Sequence, residues 1–224
     1  MHPTAALDFL SHRMLRFGPG VIIGAGHTVL GKRKIYLSPF FVLLASLFSY
    51  SASAFLPGEN LLSPLPKGWK VAHTSDQKGI SQIMEIVPEN QTLQNWRRMI
   101  TVQNIYSLKN TDPQQFAGRF ISSFQATCPK IQVFQSSHDQ NASGRPNLRL
   151  YLLNPECGKR PAESVLILVL KGNDALHVVQ YAWRPTPPTP QELKEGNAYL
   201  DRIRFCDTRK GDCEQQLNRV NEKQ

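Results

Sequence analysis

One predicted strand carries the residues best suited to bind a ligand. His177, Tyr181 and Trp183 alternate along it, so their side chains lie on one face of a sheet, and Arg184 follows directly. An imidazole can donate or accept a proton near neutral pH, and a guanidinium can hold an anionic group. These four residues form the candidate ligand-binding face. A single histidine among aromatic residues is also typical of a packed strand, and both interpretations stay open.

Known catalytic motifs are missing from the chain. The sequence contains no G-x-S-x-G, H-E-x-x-H or Walker motif, and His73 and His138 stand alone. Catalysis is therefore not favoured, and no cofactor is expected. An enzyme whose site is assembled around His177 and Tyr181 is kept as the alternative hypothesis.

Two groups of basic residues could bind anionic partners. In Trp96-Arg97-Arg98 an aromatic ring stands beside two guanidinium groups, but strand alternation puts the arginines on opposite faces. Nucleic-acid binding is therefore not expected. The second group lies near the last predicted helix and comprises Arg202, Arg204, Arg209 and Lys210. It suggests a further alternative, which is binding to anionic lipid at the surface of the cell envelope.

Alternating apolar residues predict an antiparallel sheet. Predicted strands cover residues 69–73, 80–87, 96–106, 131–135, 148–152, 164–170 and 176–184. The run 164–170 is nearly all apolar and β-branched, which is typical of a central strand. Lys171-Gly172-Asn173-Asp174 predicts the hairpin turn that follows it, and 136–146 is predicted to be a polar loop.

Two amphipathic helices are predicted beside these strands. Asp112 is a capping acceptor placed before a proline, and three phenylalanines then recur every four residues from Phe116. The second helix begins at a capping box formed by Thr189 and Glu192, and Gly196 lets it approach the sheet closely. The predicted fold class is α+β, an antiparallel β-sheet flanked by helices in an α/β/α sandwich.

Residues 32–54 have the pattern of a secretory signal peptide. A basic group starts at Lys32, an apolar run follows, and Ala52 and Ala54 occupy the −3 and −1 positions for cleavage before Phe55. An uncleaved membrane anchor would need about 20 consecutive apolar residues. A proline and several serines interrupt this segment, so we expect cleavage and a periplasmic or secreted bacterial protein that is not integral to the membrane.

Export divides the chain into unequal parts. Residues 1–31 do not fit a signal peptide and are expected to be an extension upstream of the true translation start, near residue 29 or 30. The mature part would comprise an extended leader at 55–66, one domain at 67–213 and a polar tail at 214–224. Since the removed segment holds five basic residues and one acid, the formal charge falls from +9 to +5.

All four cysteines lie in the mature part, at Cys128, Cys157, Cys206 and Cys213. An even number of cysteines in an exported chain is typical of a disulfide framework. The favoured pairing is Cys206–Cys213, which closes a small terminal loop, with Cys128–Cys157, which ties a helix end to a later turn. The other pairings stay open. Zinc sites use closely spaced ligand pairs, and since the sequence has none we expect no metal site.

Three segments carry a resemblance to known proteins. They resemble segments of small secreted proteobacterial proteins of uncharacterised function. The three segments are the strand from Asn95 to Gln103, the hairpin strand from Val179 to Arg184, and the C-terminal segment Cys206-Asp207-Thr208-Arg209 with Cys213. The order of elements is also similar to the PsbP/Mog1-like fold, over most of residues 66–213. That resemblance implies an accessory protein that binds partners, although no functional residue of the fold's members can be matched here.

These observations lead to one main functional expectation. The protein is predicted to be a non-catalytic periplasmic accessory or binding module of unknown ligand, using a sheet face or the predicted 136–147 loop. Its partner is unknown, with an envelope protein as the working hypothesis. A cleft with convergent polar groups near His177 would favour a ligand, whereas a flat closed sheet would favour a protein partner.

Overall fold

The structure is a computed structural model that describes residues 58–140, 146–154, 161–184, 187–211 and 213–216. These residues form nine strands and two longer α-helices. The strands are β1 (Glu59–Leu62), β2 (Trp69–Gln77), β3 (Ser81–Pro88), β4 (Arg98–Ile105), β5 (Gln132–Gln140), β6 (Pro146–Asn154), β7 (Glu163–Lys171), β8 (Leu176–Trp183) and β9 (Arg204–Asp207). The helices are α1 (Pro113–Thr127) and α2 (Pro190–Leu200), with short 3₁₀ helices at Tyr106–Leu108 and Thr208–Lys210.

Seven strands form one sheet in the order β2-β3-β4-β8-β7-β6-β5. Every neighbouring pair is antiparallel. All of β8 and all of β7 except Lys171 are buried. For β7, the nearly all apolar run 164–170 predicts this central position. The predicted α+β class with an antiparallel sheet is therefore confirmed.

A helix packs on each face of this sheet. Residues of odd number in β7 point toward α1, and those of even number point toward α2. The α1 face holds Val165, Ile167 and Val169 against Phe116, Phe120 and Phe124. The α2 face holds Leu166, Leu168 and Leu170 in one cluster with Tyr199 and Leu200. Asp112 caps α1 and Thr189 with Glu192 caps α2, so both predicted starts are confirmed.

The glycine in α2 sets how closely that helix approaches the sheet. A Cβ built on Gly196 would lie 2.6 Å from the indole of Trp183, which is 1% exposed and cannot move aside. Gly196→Ala should therefore lower the free energy of unfolding by about 1–3 kcal/mol through overpacking. Gly118→Ala in α1 is the matched control, because its built Cβ has no neighbour within 4 Å.

The control substitution should raise stability by roughly 0.5–1 kcal/mol, since alanine is the better helix former. Urea unfolding of the two variants and the parent measures the difference. If both variants shift the urea midpoint of unfolding by the same amount, packing against Trp183 does not require glycine at position 196.

A two-stranded ribbon completes the described fold. β1 pairs antiparallel with β9, with Glu59 opposite Asp207 and Leu62 opposite Arg204. The backbone N–H of Thr208 donates to the carbonyl of Gly58 at 3.0 Å, and the N–H of Gly58 donates to Oγ1 of Thr208 at 2.8 Å. The segment expected to be a leader therefore contains a paired strand.

The predicted disulfide between Cys206 and Cys213 is present, with an S–S distance of 2.10 Å. It packs with Leu62 in a small buried cluster that anchors the ribbon. It is the one disulfide whose two cysteines both lie in the described part of the chain. Cys128 is buried and disulfide-bonded as well, but Cys157 lies outside the described residues. The Cys128–Cys157 bridge stays a prediction.

Two strand boundaries differ from the sequence prediction. β5 continues to Gln140, although a polar loop was predicted from residue 136. Its backbone pairs with β6 beyond a bulge between Gln135 and Ser137, because an edge strand is held by backbone hydrogen bonds and does not require apolar side chains. β4 begins at Arg98, and Trp96 packs instead into the α1 face.

Candidate functional site

A cleft of about 320 Å³ lies on the α2 face, between β1 and the β2–β4 part of the sheet. Its apolar walls come from Leu61, Met84 and Val102. Its polar walls come from Thr74, Asp76, Gln82 and Asn104. The cleft therefore combines an apolar surface with a few polar groups, as small-molecule sites do.

The polar groups are brought together by strand register. Asp76 lies opposite Gln82, Gln82 lies opposite Asn104, and Asn104 lies opposite His177. Directly opposite residues share a sheet face, and neighbouring strands are about 4.8 Å apart. These four residues form a row across β2, β3, β4 and β8, which we call the polar row.

The mouth of the cleft is negatively charged and its polar groups are oriented. Oη of Tyr106 donates to Oε1 of Gln82 at 2.7 Å, and Nε2 of Gln82 donates to Oδ2 of Asp76 at 3.1 Å. Partial burial raises the pKa of Tyr106, and the carboxylates of Asp76 and Asp174 raise it further. The carboxylate of Asp76 thus faces the solvent side of the row with its partner amide fixed.

His177 lies at the inner end of the polar row. Its Nδ1 is 2.7 Å from Oδ1 of Asn104, and its Nε2 is 3.6 Å from Oε2 of Glu59. The second distance is longer than a hydrogen bond. Only 2% of the His177 side chain and 1% of the Glu59 side chain are exposed. The edge of Phe205 covers the ring, with centroids 4.9 Å apart.

The two nitrogens of the ring have different contacts. The amide oxygen of Asn104 can only accept a hydrogen bond, so Nδ1 of His177 carries the proton between them. Nε2 is buried and has no hydrogen-bond partner among the described residues. The carboxylate of Glu59 lies 3.6 Å from Nε2 and accepts from the backbone N–H of Asn173 at 2.7 Å, so His177 and Glu59 form a buried side-chain pair.

The hairpin glycine makes room for this pair. A Cβ built on Gly172 would lie 2.6 Å from Nε2 of His177 and would also overlap the carboxylate of Glu59. The sequence identified Gly172 as a turn residue. The structure adds a second reason for glycine, namely the close approach of two buried side chains to the backbone.

The structure distributes the four candidate ligand-face residues over different surroundings. His177, Tyr181 and Trp183 share the α2 face, as their alternation predicts, but all three are buried. Tyr181 and Trp183 lie in contact, with ring centroids 4.8 Å apart. Arg184 leaves this face, pairs with Glu163 at 2.8 Å and lies over the ring of Trp96 at 4.0 Å. Of the four, His177 adjoins the cleft, through Asn104.

The basic group near α2 is largely engaged within the protein. Arg209 bonds to Asp207 and to Asp174, each at 2.8 Å. Arg204 donates to the backbone carbonyls of Asp201 and Ile203. Such pairing reduces the positive field that attraction to anionic lipid would require.

Sequence reasoning missed most residues of the cleft. Asn104 lies within the predicted strand 96–106, but nothing in the sequence linked it to His177. Glu59 lies in the segment taken for a leader and gave no signal. Asp76 lies beyond the predicted strand 69–73, whereas β2 continues to Gln77.

Comparisons with known proteins do not identify a family. No protein-family model matches the chain, and no curated protein is significantly similar to it. Within the residues that the structure describes, no helix has the length and apolar character needed to cross a bilayer. The same residues contain no group of three or more histidine, cysteine or acidic side chains that could hold a metal ion.

Proposed function

We propose that this protein is a non-catalytic binding module for a small molecule, and that the cleft on the α2 face is its binding site. The cleft itself is the observation that supports the proposal. Its volume of about 320 Å³ lies within the roughly 300–1,000 Å³ typical of ligand pockets. Leu61, Met84 and Val102 offer an apolar surface, while Asp76 and Asn104 offer polar groups at the two ends.

The chemistry of the walls favours binding over catalysis. Asp76 is the one ionisable residue among the described lining residues. His177 and Glu59 lie behind Asn104 with 2% or less of their side chains exposed, so a substrate in the cleft does not reach them. A general acid or base must come within hydrogen-bond distance of the reacting atom. An enzyme built on His177 and Tyr181 therefore has less support than a binding module.

The proposal places this module in the periplasm or outside the cell. The Cys206–Cys213 disulfide supports an oxidising compartment, since disulfides are rare in the reducing cytosol. The proposed signal peptide at 32–54 and its cleavage before Phe55 lie outside the described residues. A sheet between two helices is compatible with the PsbP/Mog1-like resemblance, and an envelope protein that receives or supplies the ligand is part of the proposal.

A fragment screen with a cleft-filling variant tests the proposal. Ligand-observed NMR on the purified full chain should detect bound fragments. Thr74→Trp should weaken their binding at least tenfold, which is about 1.4 kcal/mol of binding free energy. Thr74 is an exposed residue of the cleft wall, so the indole can fill the cleft without entering the core.

Val71→Trp is the matched control, because Val71 is an exposed residue of the same strand outside the cleft lining. It should leave fragment binding unchanged. Fragments that bind Thr74→Trp as well as the parent, or a screen without hits, would refute the cleft as a binding site.

A further inference from the structure

We infer that the cleft selects an uncharged ligand group that accepts a hydrogen bond from Nδ2 of Asn104, such as an amide carbonyl. This inference rests on the proposed function and specifies the ligand class that the cleft takes. His177 acts as a positioning residue, because it fixes which end of the Asn104 amide faces the ligand.

The orientation of Asn104 follows from its contact with His177. Oδ1 of Asn104 accepts the proton on Nδ1 at 2.7 Å, so its NH₂ group is turned away from the imidazole. Asn104 also lines the cleft. Within the described part of the chain, no protein group accepts a hydrogen bond from Nδ2. A ligand atom that meets this amide is therefore offered a donor.

The proton on Nδ1 of His177 holds the amide in this orientation. A rotated amide would direct its NH₂ group at the Nδ1–H of His177, so that a donor would meet a donor. The imidazole is itself confined, since 2% of its side chain is exposed and Gly172 lies against its Nε2. The acceptor specificity of the cleft is thus set by a residue that does not line it.

The charge of the cleft disfavours anionic acceptors. Asp76 contributes the one charge among the described lining residues, and no lysine or arginine lines the cleft there. A carboxylate or phosphate bound at Asn104 would lie about two strand spacings, roughly 10 Å, from the carboxylate of Asp76 and would have no cationic partner. A neutral carbonyl accepts from Asn104 without this repulsion. Its apolar substituent can lie on Leu61, Met84 and Val102.

Butanamide and butanoate provide a matched test, because they have the same carbon skeleton and nearly the same shape. Each is titrated into isotope-labelled full-length protein while the side-chain amide of Asn104 and the methyl groups of Leu61 and Val102 are followed by NMR. Butanamide should shift these signals, and butanoate should bind at least about tenfold more weakly.

Asn104→Asp removes the donor and adds a charge with little change in volume. Asn104→Asp should weaken the binding of butanamide about tenfold. Asn95→Asp, at an exposed loop position, should leave the binding of butanamide unchanged. Butanoate binding as tightly as butanamide would overturn the inference and leave the cleft as a binding site. Absence of shifts with both molecules would also overturn it, while the Thr74→Trp screen decides separately on the proposed function.

The positioning role has its own readout. Ring ¹⁵N shifts of His177 should show that Nδ1 carries a proton in the parent protein. His177→Phe removes this donor, frees the amide of Asn104 to rotate and should bring the butanamide-to-butanoate preference closer to one. An Nδ1 without a proton in the parent would refute the positioning role even where the His177 variant does not fold.

Discussion

Replacing Glu59 by glutamine should lower the free energy of unfolding by about 1–3 kcal/mol, the range expected when a buried polar group loses its hydrogen-bond partner. The carboxylate is 1% exposed, and it accepts from the backbone N–H of Asn173 while lying 3.6 Å from Nε2 of His177. Glutamine has one acceptor end and one donor end, so it cannot present two acceptor oxygens to these neighbours. The loss should exceed that of an ordinary surface change.

Urea unfolding followed by circular dichroism measures this effect. Glu89→Gln is the matched control, because Glu89 is exposed and should change stability by less than about 0.5 kcal/mol. A Glu59→Gln/His177→Gln double variant should lose less than the sum of the two single variants, because the two side chains are in contact. A Glu59 variant no less stable than the Glu89 variant would show that the buried carboxylate does not hold the hairpin backbone.

Removing the Cys206–Cys213 disulfide should have an effect of similar size. A Cys206→Ser/Cys213→Ser variant should lose roughly 2–3 kcal/mol by the chain-entropy model for so short a loop. The loss should also be local. Since the bridge anchors β9, and β9 holds β1, the ribbon should loosen while the central sheet stays folded.

Hydrogen exchange distinguishes this local effect from global unfolding. Amides of Leu61 and Leu62 should lose protection in the double serine variant, whereas that of Leu150 in β6 should keep it. The ribbon also carries Glu59, so the effects of the serine variant and Glu59→Gln should be less than additive. Unchanged exchange in β1 would show that the ribbon is held without the disulfide.

Local signals explain which parts of the fold could be predicted. A helix start depends on a few consecutive residues, so Asp112 and Thr189 marked both helices correctly. The central position of β7 followed from its own composition, because a strand covered on both faces is apolar throughout. The disulfide between Cys206 and Cys213 joins neighbours in sequence and needed no tertiary information.

The cleft depends on pairings that no local pattern contains. Glu59 reaches His177 because β1 pairs with β9, whose residues are far away in the chain. The polar row requires four strands to be in register, and a shift of one residue would turn its members to the other face. In β2, the bulge between Val71 and His73 determines which face of the sheet the later residues occupy. Unbroken alternation from Trp69 would have placed Asp76 on the α1 face.

The most direct test of the account is to locate bound butanamide by intermolecular nuclear Overhauser effects in the full-length protein. The cleft predicts contacts between its methyl group and the side chains of Leu61 and Val102, together with a shift of the Asn104 side-chain amide. Contacts to residues outside the cleft, such as the exposed Phe134 on β5, or the absence of any contact, would contradict the account.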